Sequence, residues 1–230
     1  MQTLFIITGT NKGLGKALSE KILSGIQDAS ILSLGRNCDT ELAQQANRFR
    51  HVFIDLAQSS AIAQTLQTQA DYLNQASQIV FISNAGNIAP ITAIGQMHET
   101  ELMESVVVNA TAPAIICNYL LKTCAGKKIK LVNISSGAAT RAIEGWAAYC
   151  AGKAYAKMFF DVLKEQAQNQ PNIEVYQINP GVIDTDMQKE IRNANVQTFP
   201  EHERFVALNA EGRLQTPAAV ATTILNEINV

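Results

Sequence analysis

Residues 2–15 read QTLFIITGTNKGLG. Gln2–Thr8 is an apolar run with β-branched residues. It ends in a turn with glycines at 9, 13 and 15, and helical spacing of apolar residues then runs from Leu14 to Leu23. A strand that empties into a glycine turn and a helix is the opening of a βαβ unit. Glycine lets the backbone turn tightly and come close to a diphosphate. The unspent N–H groups and the positive end of the new helix face that anion. The spacing is GxxxGxG rather than GxGxxG, but the physics is the same. Gly9, Asn11, Lys12, Gly13, Leu14 and Gly15 are therefore the expected nucleotide-phosphate turn.

Outward from this unit, short β-rich runs alternate with helical patterns. Strands are expected at 30–34, 51–54, 78–83, 128–134 and 173–178. Helices are expected at 58–72, 98–124, 147–168 and 216–226, the last with Pro217 in its first turn. The runs LFII, IVFI and LVNI are continuously apolar, as buried parallel strands should be. The expected fold is α/β: one Rossmann-type, doubly wound parallel sheet of about six strands with helices on both faces. No repeat, linker or low-complexity tract divides the chain, so residues 1–230 read as a single domain. The more charged stretch 185–215, which contains Pro200, reads as a helical flap inserted after the last strand, over a ligand cleft.

Composition removes several classes of function. Lys plus Arg number 18 and Asp plus Glu 20, with no basic run, which argues against a nucleic-acid surface. No uninterrupted apolar stretch approaches the ~18 residues of a membrane span. The N-terminus lacks a basic region and a small-residue cleavage site. Cys38, Cys117, Cys124 and Cys150 form no CxxC pair and have no histidine at metal spacing. They read as reduced thiols in a cytoplasmic protein that binds no metal.

The end of the second strand should carry the group that reads the ribose. An acid there would accept from a 2′-hydroxyl. This chain has Gly35-Arg36-Asn37 instead. Arg36 can bond a 2′-phosphate in paired fashion, and Lys12 adds a second cation, so the expected cofactor is NADP(H). The third strand ends in Ile54-Asp55-Leu56. Asp55 suits either an adenine amino group or a helix N-cap, with Leu56 beside it in the same cofactor-binding stretch.

Tyr149 and Lys153 stand four apart at the start of a helix, on one face. A nearby ammonium favours a phenolate and is expected to bring the tyrosine down from ~10 toward working pH. Ser136, just past the fifth strand, can hold a carbonyl oxygen beside that phenol. Trp146 and Met187 are candidate substrate contacts, as is Phe199 in the flap. His51, His98 and His202 make neither a metal set nor a triad, and Ser136 has no G-x-S-x-G elbow, which removes a serine hydrolase. A methyltransferase would want an acid where Arg36 stands.

Taken together, TGTNKGLG at 8–15, Asp55, SNAG at 83–86, Asn109, ISS at 134–136, YCAGK at 149–153 and PGVIDT at 180–185 resemble the short-chain dehydrogenase/reductase family over nearly the whole chain. GWAAYCAGKA at 145–154 and PGVIDTDMQKEIR at 180–192 look like its sepiapterin reductase branch and the bacterial relatives that reduce α-diketones such as benzil. The resemblance implies a catalytic tetrad of Ser136, Tyr149, Lys153 and Asn109. Lys153 would also hold the nicotinamide ribose, and Asn109 would anchor a proton-relay water. Asn84, Ala85 and Gly86 would support the nucleotide side, and Pro180, Gly181, Ile183 and Thr185 the nicotinamide side. The family's usual seventh strand and the acid that holds a pterin have no counterpart here, which argues against pterin as substrate. The expected activity is NADPH-dependent reduction of a small-molecule ketone or α-diketone, by a homodimer or homotetramer. The alternative is a catalytically silent NADP-binding sensor of the same fold.

Overall fold

The computed structural model describes residues 3–230. Gln2, read as the first residue of the opening strand, lies outside them. Six strands, β1 (Thr3–Thr8), β2 (Ala29–Gly35), β3 (Phe49–Phe53), β4 (Gln78–Ser83), β5 (Lys128–Ile134) and β6 (Ile173–Ile178), form one sheet in the order β3-β2-β1-β4-β5-β6. Every pairing is parallel. The order reverses between β1 and β4, so a crevice opens there at the C-terminal strand ends. Among the described residues ten α-helices cover the sheet and its upper edge: α1 (Gly13–Gly25), α2 (Thr40–Ala43), α3 (Ser59–Gln67), α4 (Ala70–Asn74), α5 (Glu99–Val106), α6 (Ala112–Thr123), α7 (Ala147–Ala167), α8 (Asp186–Arg192), α9 (His202–Ala210) and α10 (Pro217–Glu227).

The period-2 geometry of the strands divides the apolar side chains between two layers. On β1, Leu4 and Ile6 enter the layer under α3, α4, α6 and α7. Phe5 and Ile7 enter the layer under α1, α2 and α10. On β4, Ile79 and Phe81 face the first layer, and Val80 and Ile82 the second. Both faces of these strands are thus buried, which is why they read as unbroken apolar runs. The helical stretch Glu99–Thr123 is long and apolar enough, by length and composition, to cross a membrane. Its apolar residues serve the first layer instead: Ile116, Cys117 and Leu120 are fully buried against the sheet.

Side-chain cations close helix C-termini at the edge of the sheet away from the crevice. Arg48 donates to the carbonyls of Leu23, Ile26 and Gln27 at the end of α1. Lys127 donates to Leu73, Asn74 and Ala76 at the end of α4. Lys130, buried on β5, donates to Ile228 at 2.6 Å and Asn229 at 3.3 Å beyond α10. Each places positive charge on the negative end of a helix. At the crevice edge the N-terminus of α1 carries no such compensation, since Lys12 at its N-cap makes no side-chain cap and its first turn has no acid.

Several expectations change in detail. The helix expected at 58–72 is two helices, α3 and α4. The Thr68 hydroxyl bonds the Thr65 carbonyl at 2.7 Å, and Gln69 leaves helical geometry at φ −102°, ψ 7°. The third strand is Phe49–Phe53 rather than 51–54. The short α2 had no periodic signal; Asp39 caps it by accepting from the N–H groups of Glu41 and Leu42. The flap contains two helices, α8 and α9, and returns to the sheet edge where Ile183 bridges Gln215.

Candidate active site

The glycine turn follows β1 at the switch point. Gly9 (φ +72°) and Gly13 (φ +56°) hold left-handed backbone that other residues rarely adopt. A β-carbon on Gly15 would stand 2.0 Å from the Gly9 carbonyl oxygen, so α1 can start this close only with glycine there. Asn84, from the end of β4, ties the turn down: its amide donates to the carbonyls of Thr8 and Gly9 at 2.9 and 3.0 Å. The Thr8 hydroxyl accepts in return from the N–H groups of Asn84 and Ala85. Leu14 and Leu56 turn their side chains into the core. Asp55 does not cap α3, whose N-cap is Gln58; it accepts instead from the Ala57 N–H at 3.0 Å.

The two candidate phosphate cations differ. Arg36 is exposed and, among the described residues, has no hydrogen bond or ion pair. Lys12 meets Asp186 of α8 at 3.0 Å, and Asp186 also pairs with Lys189 at 3.0 Å. Both lysines hold the Asp186 carboxyl below its ordinary range. Thr185 packs beside Gly13, where a β-carbon would come within 3.2 Å of its methyl group. The start of the flap thus sits directly over the turn.

Tyr149, Lys153, Ser136 and Asn109 come together at the other side of the crevice. Tyr149 is in the first turn of α7, and Lys153, one turn on, sets its Nζ 5.8 Å from the phenol ring centre. Ser136 caps the 3₁₀ turn Gly137–Ala139 by accepting from the Ala138 N–H, and its hydroxyl lies near enough to the Tyr149 phenol to favour the phenolate. The helix carrying Asn109 widens to a π turn over Val107–Thr111, between α5 and α6. Such turns re-aim side chains and recur at functional sites. Asn109 locks onto Asn87, accepting from its N–H at 3.0 Å and donating to its carbonyl at 2.6 Å. Gly152 permits the approach of α7, since a β-carbon there would lie 2.8 Å from the Asn109 Cβ. A β-carbon on Gly86 would fall 3.3 Å from Asn109 Oδ1, 3.7 Å from Met187 Cε and 3.9 Å from Lys153 Nζ, so three expected site residues converge on that one glycine.

The electrostatics depart from expectation. Tyr149 is raised above the ordinary tyrosine value, because burial disfavours the phenolate by more than the nearby Ser136 hydroxyl favours it. Burial also lowers Lys153 to about 8, and its Nζ spends a hydrogen bond on the Ile134 carbonyl at 2.8 Å. In the protein itself, desolvation outweighs the ammonium. One consequence is measurable. Between pH about 8 and 10.5 the unfolded lysine holds a proton that the folded one has released. Stability contributed by this group therefore rises with pH through that window, and the full penalty, on the order of 3 kcal/mol, is present below it. Lys153→Met is expected to raise the melting temperature at pH 7 and to lose that advantage progressively toward pH 9.5. A constant gap between variant and native chain across calorimetric scans would contradict this.

The flap lies on the tyrosine through an aromatic stack. Trp146 meets Tyr149 edge-on at 5.7 Å and 84°. Phe199 stacks on Trp146 at 5.2 Å and 11°, and Phe205 completes the cluster at 5.3 Å. Gly145 (φ +83°) makes this possible, since a β-carbon there would strike the Thr198 carbonyl at 2.6 Å. Arg141 holds Glu201 with two contacts of 2.9 and 3.1 Å.

The model of the short chain dehydrogenase family matches residues 3–196. The chain belongs to this family. Its relatives include the Bacillus subtilis benzil reductase ((S)-benzoin forming), 34% identical over 97% of this chain and 92% of that protein. Bovine sepiapterin reductase is 28% identical over 85% of this chain and 78% of that protein. Among solved structures, 4-hydroxyisoleucine dehydrogenase complexed with NADH superimposes with a TM-score of 0.80 at 25% identity, covering 99% of this chain and 91% of that one.

A short chain dehydrogenase binds a nicotinamide cofactor. The residues present suit one: an uncapped helix N-terminus behind two positive-φ glycines, and just after β2 an exposed arginine with no ion pair among the described residues. Some of the working parts of this short chain dehydrogenase left no signal in the sequence. Thr8 and Asn84 are separated by 76 residues, Gly152 and Asn109 by 43, and Gly145 is paired with a flap that has no motif. Pro180 and Gly181 are tied to the flap's return by Gln215, whose amide donates to the Pro180 carbonyl at 2.9 Å.

Proposed function

We propose that this short chain dehydrogenase is an NADPH-dependent reductase of small-molecule ketones and α-diketones. The observation that carries the reading is the meeting of two hydroxyls, Tyr149 and Ser136, with Lys153 and Asn109 around Gly86, across the crevice from the glycine turn. The relation to a benzil reductase supports the diketone class. When bound, the reduced nicotinamide supplies a hydride to the carbonyl carbon. Ser136 and Tyr149 hold the carbonyl oxygen, and Tyr149 gives it a proton. Burial keeps that phenol protonated at neutral pH, the form a donor needs. Lys153, anchored on the Ile134 carbonyl, orients toward the phenol and the ribose. Asn109, fixed on Asn87, stands where a water refills the tyrosine from solvent. Arg36, with Lys12 behind it, binds the 2′-phosphate.

The reading extends to a cytoplasmic homodimer or homotetramer. Tyr155, Met158 and Val162 stand exposed at helical spacing on α7, and Met103 is exposed on α5, which packs against α7. The test is oxidation of NADPH by the purified chain with a panel of diketones, ketones, aldehydes, quinones and pterins. Diketones are expected to give the fastest consumption, with one hydroxyketone formed per NADPH. No consumption with any carbonyl would sink the proposal.

A further inference from the structure

We infer that Ser33 and His51 are positioning residues of the glycine turn: through the Thr10 hydroxyl they hold its backbone in the shape that receives a dinucleotide's diphosphate. The inference rests on the reading of residues 9–15 as the cofactor turn. The Thr10 and Ser33 hydroxyls stand 2.6 Å apart, and the Ser33 hydroxyl is 2.8 Å from His51 Nδ1. The three residues lie just past β1, on β2 and on β3, which are neighbours in the sheet. Ile7 pairs with Ser33 and Ser33 with His51 in the strand register, so serine and imidazole stand side by side at the crevice end of the strands. Thr10 is 1% exposed and Ser33 is fully buried.

A serine is an unexpected residue at this place. Ile31, two positions earlier on β2, enters the apolar layer under α1, α2 and α10, and Ser33 takes the same face. An aliphatic side chain would fill that layer, whereas a buried hydroxyl is tolerated only when hydrogen-bonded. Ser33 has one donor and two acceptor sites, enough to hold Thr10 on one side and His51 on the other. Burial pushes the imidazole below the ordinary histidine value, so near neutral pH it is a neutral partner for the hydroxyl.

The glycine turn needs a hold of this kind. Gly9 and Gly13 are left-handed and have no side chain to pack, and of residues 9–13 only Thr10 is buried. The shape of the turn is therefore imposed by its neighbours. Asn84 grips it from β4. From β2, the Leu34 carbonyl accepts from the Gly9 N–H at 2.9 Å and Ser33 holds the Thr10 side chain. A diphosphate is met by backbone N–H groups, and their aim depends on the shape of the turn, so fixing that shape in advance favours binding. The diphosphate is common to NADPH and NADH. The hold consequently acts on both alike, unlike Arg36, whose proposed partner is the 2′-phosphate.

Ser33→Ala removes both bonds. His51→Phe removes one and keeps an aromatic ring beside Phe53. His51→Asn puts an amide atom where Nδ1 stands and is the conservative control. Dissociation constants of the purified chain for NADPH and NADH are measured by equilibrium titration. Ser33→Ala is expected to raise both about tenfold and His51→Phe about fivefold, with the NADPH-to-NADH ratio unmoved and kcat at saturating NADPH within about twofold. His51→Asn should stay within about twofold of native. In a Thr10→Val background, His51→Phe should have no further effect, because Ser33 then has no turn residue to hold. In the cofactor-free Ser33→Ala chain, the amides of residues 9–13 should exchange with deuterium faster than in the native one. If Ser33→Ala does not fold, the His51 variants and the double variant decide. Dissociation constants within about twofold of native in Ser33→Ala and His51→Phe, whatever their melting temperatures, would overturn the inference, as would a loss confined to NADPH. A native chain that binds neither dinucleotide would overturn the cofactor-turn reading as well.

Discussion

Tyr149→Phe is expected to lower kcat/KM for a diketone by about 10²–10⁴-fold, with NADPH affinity within about twofold of the native chain. The ring, and with it the edge-on contact to Trp146 and the ring face toward Lys153, is retained. What is lost is the one proton donor that burial holds in its protonated form beside Ser136. Hydride arrival at the carbon would then build charge on an oxygen with no proton to take, and the barrier rises accordingly. Stopped-flow turnover together with fluorescence titration of NADPH separates chemistry from binding. Turnover within about tenfold of native would refute the role. The raised phenol also fixes the sign of the pH response: reduction should not fall through donor ionisation until the pH passes the ordinary tyrosine range. A decline centred near neutrality would mean that the ammonium, not burial, controls this group.

Arg36→Asp is expected to shift the ratio of NADPH to NADH affinity on the order of 10²-fold toward NADH. A guanidinium gives a phosphate two charged hydrogen bonds, together worth roughly 2–3 kcal/mol at such a site. The aspartate removes them, repels the 2′-phosphate and offers an acceptor to a 2′-hydroxyl. Lys12 cannot substitute fully, because Asp186 already pairs with it at 3.0 Å and competes with any phosphate for that charge. Equilibrium titrations with the two dinucleotides measure the ratio directly; an unmoved ratio would place the 2′-phosphate elsewhere.

Much of the fold lay in the order of residues because its signals are local. A buried parallel strand needs apolar side chains on both faces, so β1 and β4 announce themselves as runs, and a glycine turn between strand and helix needs glycine within a few residues. Tyr149 and Lys153 are legible for the same reason, as one helical turn separates them. Signals fail where a contact joins distant parts of the chain. Local exceptions exist too: the Thr68 hydroxyl bonds the Thr65 carbonyl where the expected helix divides, and α2 is too short to show a period. The π turn under Asn109 and the glycine at 152 that faces it have meaning only together.

The sequence by itself determined the parallel sheet, the glycine turn between β1 and α1, the cation after β2 and the spacing of phenol and ammonium. All of these follow from chain-local geometry, period and residue chemistry. Only the tertiary structure decided the direction in which Tyr149 titrates, the partner that occupies Lys12, and the edge-on contact of Trp146 with the phenol ring. Each depends on how much water and which distant groups surround a side chain, and that is fixed by packing rather than by the order of residues.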